Sequence, residues 1–293
     1  MKLRAYAKVN LGLDVVRRRE DGYHEVSMIM QMIRIYDQLE LKKATDPGIH
    51  LTTNREDIPV DEHNLVYKAA KLLMDAYHVE EGVDIYLEKS IPVAAGMAGG
   101  SSDAAATMIG INELFSLNLS EKELMEWGVK IGADVPYCIM KGTALAEGIG
   151  EILTPLPPLP ECHILIGKPE MGVSTKYVYT HLNLKEQTKH PDIAGMVQAL
   201  RDGNLYGITD RMENILESVT IPACPVIAEI KEHMKAHGAV NALMSGSGPT
   251  VFGIFDDEEK AAEAYRQLKE SGLVKDICLT TALGKMGGTK DDE

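Results

Sequence analysis

From Leu3 to Val15 every odd position is apolar, while Lys2, Arg4, Tyr6, Lys8, Asn10 and Asp14 fall on even ones. Period-two alternation predicts a half-buried strand, with Lys8 and Asn10 together on the face away from the core. A turn at Asp21-Gly22 follows, and Val26–Ile33 and Leu39–Leu41 read as further strands of a mixed or antiparallel region. The period then changes: over Asn64–Tyr77, Leu65, Ala69, Leu72, Leu73 and Ala76 share one face of a helix. Val83, Ile85 and Leu87 return to alternation. After Ile91 the chain reads as strand, loop of small residues, and helix, with Ala104, Met108 and Ile111 at helical spacing. Ser120 with Glu123 forms a capping box that opens a helix running to about Ile131. Gly132 ends it, and Ala133-Asp134-Val135-Pro136 reads as a loop.

Prolines crowd residues 153–160, which can hold neither a helix nor a central strand. This stretch is the expected domain junction, dividing residues 1–155 from 156–293. Beyond it, His163–Gly167 reads as a strand, Ser174 as a helix cap, and helices are centred near Met196 and Ile230. Val240–Met244 is a strand leading into a second small-residue loop, Ser245-Gly246-Ser247-Gly248. Ala261, Ala262, Tyr265 and Leu268 mark one more helix. Strands and helices thus mix through both halves, an α/β (α+β) chain.

The 293 residues suffice for one large or two modest domains, and 45% hydrophobic with 25% charged residues is ordinary for a globular protein. A net charge of -14 argues against nucleic acid as the main partner. A single nucleotide is still allowed, because a few local cations and free backbone N–H groups can hold a phosphate whatever the global charge. The four cysteines show no C-x-x-C spacing, so neither zinc site nor redox pair is indicated and reduced packing residues are expected. Lys2, Arg4 and Lys8 break up the N-terminus, which does not read as a signal peptide. No segment approaches the ~18 apolar residues of a membrane helix, so a cytoplasmic protein without a membrane partner is expected. No heptads or long apolar stripe report on oligomeric state.

Against this background the segment Pro92-Val93-Ala94-Ala95-Gly96-Met97-Ala98-Gly99-Gly100-Ser101-Ser102-Asp103 stands out. Small residues where a helix begins let the backbone approach an anion and aim its N–H groups at it, although similar loops also occur where a helix merely packs close to a sheet. No Gly-Lys-Ser or Gly-Lys-Thr ends it, which excludes a Walker loop.

The loop resembles the central motif of the GHMP small-molecule kinases, and the resemblance extends over nearly the whole chain. Ala7-Lys8-Val9-Asn10-Leu11, Asp21-Gly22-Tyr23-His24, Gly132-Ala133-Asp134-Val135-Pro136 and Ser245-Gly246-Ser247-Gly248-Pro249 carry it further. They are similar to the branch that phosphorylates cytidine diphosphate methylerythritol in non-mevalonate isoprenoid synthesis. The family's fold has two domains, an N-terminal ribosomal-protein-S5-like domain and a C-terminal ferredoxin-like α/β domain, with the active site in the cleft between them. Where the family often has glycine, this chain has Ala94, Ala95 and Ala98.

The resemblance implies ATP, cradled by Pro92 through Ser102, with Asn64, Leu65, Val66 and Lys89 about the adenine. It implies Mg2+ as part of the nucleotide complex, with Ser102 the side chain nearest the metal. Most loop carboxylates do no chemistry, but the resemblance makes Asp134 the catalytic aspartate and sets Lys8 between it and the accepting hydroxyl. Tyr23 and His24 resemble a cytosine-reading pair. Tyr179 resembles the ring that stacks on the other face, with Tyr177 two positions away as the alternative. Asn10 is expected on the methylerythritol hydroxyls, with Thr175, Gly246 and Ser247 also on the substrate. The competing readings are a GHMP kinase for homoserine, mevalonate or a sugar, and a regulator that binds nucleotide without turnover.

Overall fold

The computed structural model describes residues 1–184 and 190–284. They form two compact units: one holds Met1–Ala7, Ile35–Val93 and Ala98–Met140, the other Lys8–Arg34, Ala94–Met97 and the chain from Lys141 onward. Strands β1 (Lys2–Arg18) and β2 (His24–Ala44) pair with each other and contribute residues to both units.

In the first unit, the second half of β2 is antiparallel to β4 (Gly82–Glu88), with Leu41 opposite Ile85, and β4 runs parallel to β3 (Ile49–Thr53). Helices α1 (Leu65–Ala76), α2 (Gly99–Leu114), α3 (Glu121–Gly128) and α4 (Val135–Met140) complete it. Asn64 caps α1 by accepting the Val66 N–H at 2.9 Å, and Val66, Ala69, Ala70, Leu73 and Met74 make its buried face. The α2 sequence is so rich in small residues that it is buried almost all round. A Cβ at Gly110 would lie 2.8 Å from Leu3 Cδ1 and Leu41 Cδ2, so this glycine lets α2 sit tight on the strands. The capping box at Ser120 and Glu123 forms as expected.

In the second unit, the first half of β2 is antiparallel to β5 (Thr143–Gly148), and β5 to β6 (Ile152–Leu156). Pro155 is tolerated there because β6 is an edge strand. The expected junction stretch therefore starts as strand, and the residues on both sides of it belong to this same unit. A second sheet, wholly antiparallel, is built from β7 (His163–Lys168), β8 (Asn241–Met244), β9 (Val251–Phe255) and β10 (Asp276–Thr281) in the order β10-β7-β9-β8. Helices α5 (Thr175–His181), α6 (Ile193–Arg201), α7 (Leu205–Thr209), α8 (Glu217–Ala223), α9 (Val226–Ala236) and α10 (Glu258–Glu270) complete the unit, with α9 and α10 packed on this sheet and α6 against β6. Ile164, Ile166, Phe252, Ile254, Met234 and Leu268 form its core.

Three expectations are corrected. The even face of β1 is not open, since Lys8 (4%), Asn10 (0%) and Asp14 (8%) are all buried: other segments cover both faces of this strand. The two strands read from Val26 to Leu41 are one, because polar Arg34 and Asp37 find places without breaking the ladder. Helix α3 stops at Gly128, and Val135 and Pro136 open α4, where a proline in the first turn removes no helical hydrogen bond. Cys138, Cys162 and Cys224 are buried free thiols and Cys278 is half-buried; burial pushes Cys162 up to about 12, which makes it an inert packing group. Among the described residues no helix is long and apolar enough to cross a membrane.

Candidate active site

The small-residue loop earns its shape from backbone contacts. Gly96 has φ +70, and a Cβ there would lie 2.2 Å from the Ser245 carbonyl oxygen, so only glycine fits. The Gly96 carbonyl accepts from Ser245 Oγ at 2.9 Å and from Lys8 Nζ at 3.0 Å. Lys8 also donates its backbone N–H to the Met97 carbonyl at 3.1 Å. The loop and the second small-residue loop therefore touch through main chain, with Lys8 at the same point.

At its other end the loop enters α2 through Ala98, left-handed at φ 57, with no side-chain cap. The first helical bond is Ser102 N–H to Ala98 O at 2.9 Å, so the N–H groups of Gly99, Gly100 and Ser101 precede the helical ladder. Backbone N–H groups placed in this way are able to hold an anion. Ala94 (φ 51) and Ala98 (φ 57) hold left-handed conformations that cost alanine ~1 to 2 kcal/mol each, against ~0.4 to 1 kcal/mol for the extra freedom glycine adds to the unfolded chain. Ala94→Gly and Ala98→Gly are each expected to raise unfolding stability in denaturant titration, by up to about 1 kcal/mol. A loss at both positions would contradict the strain.

Lys8 Nζ donates to Asn10 Oδ1 at 2.6 Å, and Asn10 Nδ2 reaches Met28 Sδ at 3.3 Å. With its amide bonded at both ends and no exposed surface, Asn10 is turned to Lys8 and Met28 and not open in the way the expected substrate contact requires. Gly246 and Ser247 lie in the loop that meets Gly96, and Ser247 Oγ bonds Thr175 Oγ1 at 2.8 Å. Asn214 holds this loop from behind, donating to the Met244 and Gly246 carbonyls at 2.8 Å each, while Thr220 Oγ1 bonds the Ser247 carbonyl at 3.3 Å. No sequence signal marks Asn214 or Thr220, which stand in unremarkable stretches.

His24 and Tyr179 come together, with ring centroids 5.2 Å apart at 41°. Tyr177 instead lies on His181, one turn along α5, at 4.0 Å. Tyr23 is 61% exposed beside them in sequence, its N–H held by Asp21 Oδ1 at 3.0 Å. Partial burial, then the charge of Arg18, holds His24 below the usual histidine range, so its ring is neutral at pH 7.

In the other unit Asp134 is half-buried immediately before α4, its carbonyl accepting the Cys138 N–H at 3.1 Å. Leu65 is half-buried and lies against Gly100, 3.4 Å from where a Cβ would stand. Val66 is core, and Asn64 is occupied as the α1 cap and with the Pro59 carbonyl at 2.7 Å. Lys89 is not an open cation: its side chain is 5% exposed and its ammonium pairs with Asp37 and Asp103. Ser102 is also turned inward, 2% exposed with Oγ on the Tyr6 carbonyl at 2.7 Å, so it does not reach a metal as expected.

Among the described residues no group of three His, Cys, Asp or Glu side chains is placed to hold a metal ion.

Models of two families match the chain: the GHMP kinases N terminal domain over residues 64–142 and the GHMP kinases C terminal over residues 196–273. A 4-diphosphocytidyl-2-C-methyl-D-erythritol kinase of Lachnoclostridium phytofermentans is 54% identical over 280 residues, covering 96% of both chains. One of Clostridium perfringens is 47% identical, covering 97% of this chain and 98% of the other. A crystal structure of 4-(cytidine 5'-diphospho)-2C-methyl-D-erythritol kinase superimposes with TM-score 0.83 at 33% identity, over 97% of this chain and 100% of that one. The chain therefore belongs to the GHMP kinases, as an ATP-dependent member of the group formed by the 4-diphosphocytidyl-2-C-methyl-D-erythritol kinases.

Proposed function

We propose that this enzyme transfers the γ-phosphoryl group of ATP to the 2-hydroxyl of 4-diphosphocytidyl-2-C-methyl-D-erythritol, giving the 2-phosphate and ADP, in the cytoplasm. The observation that carries the choice of alcohol is the pairing of His24 with Tyr179 next to the exposed Tyr23. A flat heteroaromatic base needs such rings, whereas homoserine and mevalonate have no ring for them to read.

In this reading the free N–H groups at the start of α2 and the backbone around Gly96 hold the phosphates. Lys8, aimed by Asn10, favours loss of the hydroxyl proton through its positive charge, and Asp134 accepts that proton. The hydroxyl oxygen bonds to the γ-phosphorus as the bond to the β-phosphate oxygen breaks, and ADP leaves. Mg2+, carried by the nucleotide, neutralises phosphate charge when bound. Thr175, Gly246 and Ser247 line the acceptor side, Leu65 the adenine side.

A coupled ADP-release assay with cytidine diphosphate methylerythritol, mevalonate and homoserine tests the substrate. Turnover with the first alone is expected; turnover only with either of the others would overturn the reading. Within it, Tyr179→Ala should raise KM for the acceptor by roughly tenfold or more, as expected for loss of a stacked base worth ~1 to 3 kcal/mol, while Tyr177→Ala leaves it within about twofold. The reverse order would move the stacking ring to Tyr177.

A further inference from the structure

Residues 89–103 leave strand β4 and enter helix α2, and both ends of this segment meet at one buried cation. Lys89 Nζ pairs with Asp37 Oδ2 and donates to Asp103 Oδ2 at 2.7 Å. The side chains are 5%, 0% and 4% exposed for Lys89, Asp37 and Asp103. Asp37 Oδ1 accepts the N–H groups of Ser90 and Ile91 at 2.5 and 2.7 Å, so the same carboxylate that binds the lysine also fixes the main chain where the loop departs. A Cβ at Gly99 would come within 3.3 Å of Lys89 Nζ, which puts the ammonium against the first residue of α2.

We propose that Lys89, Asp37 and Asp103 are positioning residues for ATP: together they clamp the exit of β4 to the first turn of α2 and so set the geometry in which the loop meets the phosphates. The inference rests on the loop being the phosphate cradle. Stability alone is a weak reason to keep such a cluster, because desolvation offsets the attraction of buried ions and well-packed apolar groups commonly do as well. What ions supply is direction, through hydrogen bonds that only one arrangement satisfies. Asp103 fits this use: its Oδ1 is buried without a partner. Burial, together with the nearby Asp37 charge and against the pull of Lys89, pushes its carboxyl up to about 8. Through Oδ2, Asp103 is a hydrogen-bonding link from Lys89 to the helix.

The test compares D103N, D103L and the double variant K89M/D103L in full-length enzyme, with KM for ATP, KM for the acceptor alcohol and thermal midpoint measured together. The link predicts that D103L and the double variant raise KM for ATP about tenfold, as for a displaced binding loop, with KM for the acceptor within about twofold. D103N, which keeps a hydrogen bond to Lys89, should raise it by less than about threefold. The double variant leaves the buried Asp37 carboxylate without its cation and should lower the thermal midpoint, whereas D103L keeps the Lys89–Asp37 pair and should lower it less, so the rise in KM for ATP that the two share is not set by stability. A double variant with parental KM for ATP, or D103N and D103L alike in their effect, or both KM values rising in step with a falling midpoint, would overturn the proposal. Absence of ADP release by the parent enzyme would instead overturn the cradle reading on which it rests.

Discussion

Gly96→Ala should lower kcat/KM for ATP by about a hundredfold, the scale of a reacting group displaced by ~1 Å. Two independent costs meet at this position. Alanine at φ +70 pays ~1 to 2 kcal/mol of left-handed strain, which Ala94 and Ala98 show the fold can absorb. The second cost has no such outlet: the new methyl would stand 2.2 Å from the Ser245 carbonyl oxygen, and that oxygen is main chain, not the end of a flexible side chain. One loop or the other must move. The loop around Ser245 is held by Asn214 through the carbonyls of Met244 and Gly246, so the displacement falls on residues 94–97. Moving them pulls the Gly96 carbonyl from Lys8 Nζ and the Met97 carbonyl from the Lys8 N–H. Both phosphate binding and the placement of the lysine should suffer, so KM for ATP rises and kcat falls together. Ser245→Ala is the matching control, since it removes one hydrogen bond to Gly96 and leaves the backbone contact; a loss below about tenfold is expected. Steady-state kinetics with ATP varied would decide it, and a Gly96→Ala enzyme no more impaired than Ser245→Ala would show that the contact is loose.

The sequence carried the local part of this picture. Period-two alternation set Lys8 and Asn10 on one face, and they are hydrogen-bonded to each other; small residues marked the loop that opens α2, and the Ser120 capping box formed as written. The even face of β1 read as open because nothing in the alternation says that Met28 and Gly96, far along the chain, close over it. The resemblance set Lys89 beside the nucleotide, and its ion pairs were not legible: its partners lie 52 and 14 positions away, on β2 and α2, and an isolated Asp37 among strand residues gives no sign of them. Ser102 illustrates a finer limit. Two adjacent serines at a helix start face different directions, and which one turns inward is decided by the Tyr6 carbonyl, a group supplied by another strand. For Asn10 and Asn64 the resemblance implied ligand contact, and nothing in the sequence shows that each amide is engaged by protein groups at both ends.

Asp134→Asn is the harsher chemical test, because it keeps size and hydrogen-bonding shape while removing the ability to accept a proton. General-base catalysis contributes ~10² to 10⁴ in rate, so kcat should fall about a thousandfold, or ~4 kcal/mol of barrier, with both KM values and the thermal midpoint little changed. The fold tolerates the change: Asp134 is half-buried, and its helical bond to Cys138 is made by main chain. No neighbour is expected to replace it, since the nearby Tyr137 hydroxyl is fully buried and desolvation holds it well above the usual tyrosine range, with the charges of Cys138 and Asp134 adding to the effect. The size of the loss also separates two mechanisms. In a loose transition state the alcohol keeps its proton until late, and a carboxylate that only orients the hydroxyl is partly replaced by an amide oxygen, giving a loss nearer tenfold. A thousandfold loss in single-turnover measurement, where product release no longer masks the chemical step, identifies proton acceptance; a tenfold loss identifies orientation; and near-parental turnover removes Asp134 from the reaction.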